Sequence, residues 1–109
     1  MKRQFVSIGD IQLHVRRAGE GPPVILLHPS PQSSAFSIPM VTRLAKNFTA
    51  IAVDTPGYGL SDPILGGYKG PALDGYLPPL VALLDSLGIE KAAFYGNATG
   101  AEIAHIFAA

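Results

Sequence analysis

Cysteine is missing from all 109 residues, which excludes a disulfide scaffold, a thiolate zinc site and a cysteine nucleophile. Charge is scarce as well. Lys, Arg, Asp and Glu together make up 15% of the chain, and eight basic residues balance eight acidic ones. A net charge of zero leaves no basic footprint for nucleic acid and favours self-association over solubility. Long apolar runs are also missing, so no stretch is expected to span a bilayer. Met1-Lys2-Arg3-Gln4-Phe5 carries two basic residues but no apolar stretch after them, unlike a secretory signal. Together these absences predict a cytoplasmic protein without a membrane or nucleic-acid partner. Apolar residues, by contrast, make up 48% of the chain, enough to bury one globular core. No repeat, low-complexity segment or linker divides residues 1–109.

Hydrophobic patterning predicts an α/β organisation. Gln4–Ile8 reads as a strand closed by Gly9-Asp10, a hairpin dipeptide. Ile11–Arg17 alternates, with Ile11, Leu13 and Val15 on one face and Gln12, His14 and Arg16 on the other. Val24–His28, Phe48–Val53 and Ala92–Tyr95 are short apolar runs of the kind buried on both faces of a parallel sheet. Helices are expected between and after them. Ala35–Lys46 has Ser34 as a candidate N-cap, Pro39 in its first turn, and Met40, Val41 and Leu44 on its apolar face. Leu73–Leu87 carries Leu77, Leu80, Val81, Leu84 and Leu87 at helical spacing, with Pro78-Pro79 marking its regular start and Gly88 its stop. Gly100–Ala109 opens a helix bearing Ile103, Ile106 and Phe107. A hairpin followed by strand–helix repeats predicts a mostly parallel sheet with helices on both faces.

Three loops follow the three buried strands, and open α/β sheets bind ligands beyond the carboxyl ends of such strands. They read His28-Pro29-Ser30-Pro31, Asp54-Thr55-Pro56-Gly57-Tyr58-Gly59-Leu60-Ser61-Asp62 and Gly96-Asn97-Ala98-Thr99-Gly100. Other chemistries lack support. Gly57-Tyr58-Gly59 has no third glycine, following helix or Walker lysine for a phosphate. No His, Asp and Glu spacing suits a metal. Tyr58, Tyr68 and Tyr76 are too sparse for a nucleic-acid stacking face. His14 falls on the polar face of an outer strand and reads as a surface residue. His105, three residues from Glu102, reads as part of a solvated helix face. Asp62 is a loop carboxylate without a visible partner. Asp54, at the end of a buried strand, reads as a cap for loop amides rather than a general base.

In order and spacing the three loops resemble the α/β-hydrolase superfamily: its His-Gly-x-Pro oxyanion loop, its Asp-x-x-Gly-x-Gly-x-Ser segment and its Gly-x-nucleophile-x-Gly elbow. The resemblance covers the whole chain but only the N-terminal half of that fold. It implies a partial α/β-hydrolase core, residues 1–109, from a parent that hydrolyses a small-molecule ester, amide, epoxide, carbon–halogen or carbon–carbon bond. It also implies elbow residues Gly96, Asn97 and Gly100, oxyanion donors at the Ser30 and Thr99 amides, and support from His28 and Asp54. An oxyanion hole and a triad need no cofactor, so none is expected, nor any metal. Pro29 replaces the family's glycine and stiffens the loop, and Ser30–Pro31 is a candidate cis bond.

The decisive departure is Ala98. The family places Ser, Asp or occasionally Cys there, and a methyl group attacks nothing. The strained geometry of that turn costs on the order of 1–3 kcal/mol. Three explanations stay open: a substituted knockout, a natural non-hydrolytic branch, or a site using Asn97 or Thr99 instead. The family's acid and histidine lie on later strands, and the last helix has no cap or polar tail after Ala109, so the sequence reads as cut. The chain itself is expected to be inactive. The alternative is a non-catalytic pseudoenzyme whose pocket holds a small apolar ligand or a protein partner. Ala92–Tyr95 is expected to be an exposed sheet edge through which the marginally stable chain self-associates.

Overall fold

The computed structural model describes residues 1–29, 31–64 and 76–108; the side chains of residue 99 and of 106–108 lie outside that description. Five strands form one sheet: β1 (Lys2–Ile8), β2 (Ile11–Ala18), β3 (Pro23–Leu27), β4 (Thr49–Val53) and β5 (Ala93–Gly96). Their spatial order is β1-β2-β4-β3-β5. β1 and β2 form the hairpin about Gly9-Asp10, with Ile8 opposite Ile11. β2 then pairs antiparallel with β4, whereas β4–β3 and β3–β5 are parallel. The sheet is therefore mixed, with its parallel half formed by the three apolar runs.

Helices cover both faces. α1 (Ile38–Leu44) lies on one, where Val41 packs on Val24, Leu26, Ala50 and Ala52. α2 (Leu77–Ser86) and α3 (Thr99–Ala108) lie on the other. There Leu80, Leu83, Leu84 and Ile103 join Ile25, Leu27, Ile51 and Val53, and the cluster runs on across β2 and β1 to Val6 and Ile8. Side chains of β3 and β4 alternate between the two clusters, as pleating requires. This two-sided burial explains why those strands are continuously apolar.

The helix boundaries differ from the sequence reading in instructive ways. The segment after β3 begins as a 3-10 turn (Ser34–Ser37) and only then becomes α1, with Pro39 in its first turn. Its cap is Ser33, whose Oγ accepts from the Ala35 amide at 3.2 Å, and not Ser34. The Ser34 amide is taken by Asp54 instead. α2 starts at Leu77 with Pro78-Pro79 in its first turn, but its buried stripe is Leu80, Leu83 and Leu84, and Val81 is 47% exposed. The expected start near Leu73 lies outside the described residues, as do Tyr68 and the side chains of Ile106 and Phe107. α2 ends in a Schellman motif: Ile89 N–H donates to Leu84 O at 2.9 Å and Gly88 N–H to Asp85 O at 3.1 Å, with Gly88 at φ +71°.

Candidate active site

The parallel register brings the three loops together. Leu27 stands opposite Val53 on one side and Gly96 on the other. The next residues, His28, Asp54 and Asn97, therefore leave the sheet at one level. The Asn97 amide donates to Leu27 O at 3.3 Å, which ties the third loop to the first.

The third loop is a sharp strand-to-helix turn. Ala98 has φ +52°, and it is alone among the described non-glycine residues in having a positive φ. L-residues avoid this region because Cβ crowds the following carbonyl. Ala98 O accepts from the Glu102 amide at 3.1 Å, so the residue caps α3 while its methyl faces outward, exposed. The turn is this tight only because glycines flank it. A Cβ on Gly96 would meet the Gly100 backbone, and one on Gly100 would meet Leu27 O and lie 2.8 Å from His28 O. The first turn of α3 is thus pressed onto the end of β3, and its Gly100 amide donates to Asn97 O at 2.9 Å.

The first loop is held by His28, which is 2% exposed. Its Nε2 accepts from the Thr55 amide at 3.1 Å, so the ring proton sits on Nδ1 and is donated to Pro29 O at 2.9 Å. The ring meets Tyr58 edge-on, with centroids 5.7 Å apart. Both ring nitrogens are engaged within the protein. Ser30 lies outside the described residues.

The second loop is organised by Asp54, which is 1% exposed. Its Oδ1 accepts from the Ser34 amide at 2.6 Å; its Oδ2 accepts from the Leu60 amide at 3.0 Å and from His14 Nδ1 at 2.8 Å. Burial pushes this carboxyl up, but the Leu60 amide, the Ser34 hydroxyl and amide, and the His14 ring outweigh it and hold it below the ordinary 3.8. Gly59, at φ +55°, has no room for a Cβ against the same carboxylate.

Two polar residues lie elsewhere than their sequence context suggests. His14 is no surface residue: it is 1% exposed on an inner strand, against Asp54. The polar face of β2 is covered at that position by the second loop, whose Ser61 Oγ accepts from the His14 amide at 2.8 Å. Asp62 has a partner too, since its Oδ2 accepts from the Gln12 amide at 2.8 Å. His105 and Glu102 are exposed on α3, as read from the sequence. Beside the elbow, Phe36, Pro39, Met40, Tyr95 and Asn97 line most of a hollow of about 180 Å³.

Comparison with known proteins matches this arrangement. A family model of the alpha/beta hydrolase fold covers residues 22–109. The chain is 38% identical over 96 residues to 2-(acetamidomethylene)succinate hydrolase of Mesorhizobium japonicum, a match that covers 88% of this chain and 34% of that protein. It is also 38% identical over 104 residues to 2-hydroxy-6-oxononadienedioate/2-hydroxy-6-oxononatrienedioate hydrolase 2 of Pseudomonas putida, covering 91% of this chain and 36% of that one. The crystal structure of an E-2-(acetamidomethylene)succinate hydrolase superposes with a TM-score of 0.87 and 34% identity, over 98% of this chain and 39% of that chain. The chain therefore spans about a third of the length of these relatives.

Proposed function

The chain belongs to the alpha/beta hydrolase fold family, and from that membership we propose that its site is a hydrolase elbow facing an oxyanion loop, with an inert methyl where the nucleophile belongs. The parent activity is hydrolysis of a small molecule at an ester, amide, epoxide, carbon–halogen or carbon–carbon bond. In an active relative the side chain at position 98 attacks, and the backbone amides of Ser30 and Thr99 stabilise the developing oxyanion. Gly96, Asn97 and Gly100 shape the elbow, and His28 and Asp54 support the loops around it. The chain as it stands, with Ala98, is inactive; it is cytosolic, and its site is one for a small-molecule substrate or ligand rather than for nucleic acid or membrane. Among the described residues no helix is long and apolar enough to cross a membrane.

The observation that carries this reading is the φ of +52° at Ala98. A non-glycine residue in that region costs roughly 1–2 kcal/mol, and the conformation has a use when a reactive side chain must stand proud of a turn. A second reading rests on the hollow beside Asn97, whose wall of Phe36, Pro39, Met40 and Tyr95, joined by Ser37 and Arg43, suits a small, mainly apolar ligand or partner held without turnover. The two separate on Ala98→Ser and Ala98→Asp, assayed in the longest natural form of the protein against activated esters, an epoxide and a haloacid. Turnover by either variant supports the hydrolase reading; silence from both, with ligand still bound, supports the binding module. Self-association through the β5 edge is part of the same proposal.

A further inference from the structure

Resting on the reading of His28-Pro29-Ser30-Pro31 as the oxyanion loop, we propose that His14 is a positioning residue that sets the exit of this loop, Gln32 to Ser34, through Asp54. Two neighbours at the end of β4 hold the loop by both ends. Thr55 does so in front, through His28 and its bond to Pro29 O. Asp54 does so behind, through the Ser34 amide at 2.6 Å. Between them the Gln32 amide closes onto Pro29 O at 2.8 Å.

Asp54 can hold Ser34 only if its carboxylate is kept from rotating, and His14 does this. Arg3 Nε donates to His14 Nε2 at 3.2 Å, which places the ring proton on Nδ1, aimed at Asp54 Oδ2. With Oδ2 engaged by His14 and Leu60, Oδ1 is left to Ser34. The backbones are locked together as well. The Asp54 amide donates to His14 O at 2.9 Å, and Ser61 bridges the His14 amide to Asp54 O, donating to that carbonyl at 2.6 Å. Filling position 14 needs no imidazole, because an apolar side chain would pack there without a polar atom to satisfy. The directed donor is what the ring adds.

Amide hydrogen exchange by NMR tests this without any turnover. His14→Phe keeps a ring against Phe5 and loses the donor, and His14→Asn keeps an amide donor at the reach of the ring Nδ1. In His14→Phe the Ser34 and Gln32 amides should exchange roughly tenfold faster while Ile25 and Ile51 in the sheet stay within about twofold; in His14→Asn the loop should return to within about threefold of the parent. Equal acceleration at all four amides would make His14 a fold-holding residue only, and an unchanged Ser34 amide would overturn the proposal outright. Should His14→Phe not fold, His14→Leu removes the same donor with a smaller apolar side chain and must speed the same two amides; a protected Ser34 there also overturns it. The exchange result and the Ala98 assay can each fail without the other.

Discussion

Asp54 is 1% exposed and yet loses its proton more readily than an exposed aspartate. Burial alone would do the opposite, so its donors outweigh the lost hydration. The consequence is a stability that depends on acid. The folded carboxyl titrates below the ordinary 3.8, so the contribution of Asp54 is fully present above that value and is lost as pH falls through the lower folded one. Asp54→Asn should cost about 2 kcal/mol at neutral pH, since it turns a charge-assisted acceptor into an amide that faces donors. The gap between parent and variant should narrow as pH drops below 3.8. Urea midpoints measured from pH 7 to pH 3 check both statements, and a gap that stays constant would deny the carboxylate its role. Only part of this was legible in the sequence. Asp54 at a strand end is a recognisable amide cap because that signal is local, whereas a bracing role for His28 comes only from the family resemblance. His14 was illegible because period-2 alternation says which side of a strand a residue faces and cannot say that a loop 47 residues away covers that side. Ser34 does not cap for the same reason: its hydroxyl accepts from the distant Arg16 Nε at 3.0 Å.

At the scale of elements, two glycines separate steric from conformational demands. Gly88, at φ +71°, ends α2, and nothing lies within 4 Å of a Cβ placed on it. Gly88→Ala should therefore cost only about 1 kcal/mol, the penalty of the left-handed region. Gly100 sits in α3, where a Cβ would strike Leu27 O and His28 O, backbone atoms fixed by the sheet. Gly100→Ala should cost about 3 kcal/mol or lift the helix off β3. Denaturant midpoints of the two variants give the comparison, and equal costs would mean that α3 is not seated on the strand end. The existence of these elements was readable from apolar runs and breakers. The buried face of α2 was not: Leu77, Leu80, Val81, Leu83, Leu84 and Leu87 surround the helix, so several stripes have helical spacing. Packing across the sheet as far as β1 chose the one centred on Leu83. Strand order was equally hidden, because β4 inserts between β2 and β3 through pairings distant in sequence.

For the whole molecule, the site and the weakest margin share one side. Among the described residues β5 pairs with β3 alone, so no strand covers its other edge. Ala93 is exposed on it, Tyr95 is 42% exposed, and Phe36 across the hollow is 47% exposed. The net charge is zero, so no long-range repulsion keeps two copies apart. Strand-to-strand pairing would satisfy the edge and cover the tyrosine in one step. The chain of 109 residues should therefore sediment as dimer or larger at tens of micromolar, shifting toward monomer on dilution. Tyr95→Lys puts a charge on the edge and removes its exposed aromatic, the means by which natural sheets discourage such pairing. It should move the distribution to monomer while β3 and β4, buried on both faces, keep the thermal transition cooperative. A parent chain that sediments as a monomer across the whole range, with one sharp transition, would show the edge to be harmless. If Tyr95→Lys instead leaves the oligomer intact, the contact lies elsewhere on the surface, and the hollow beside Asn97 stays open to a ligand.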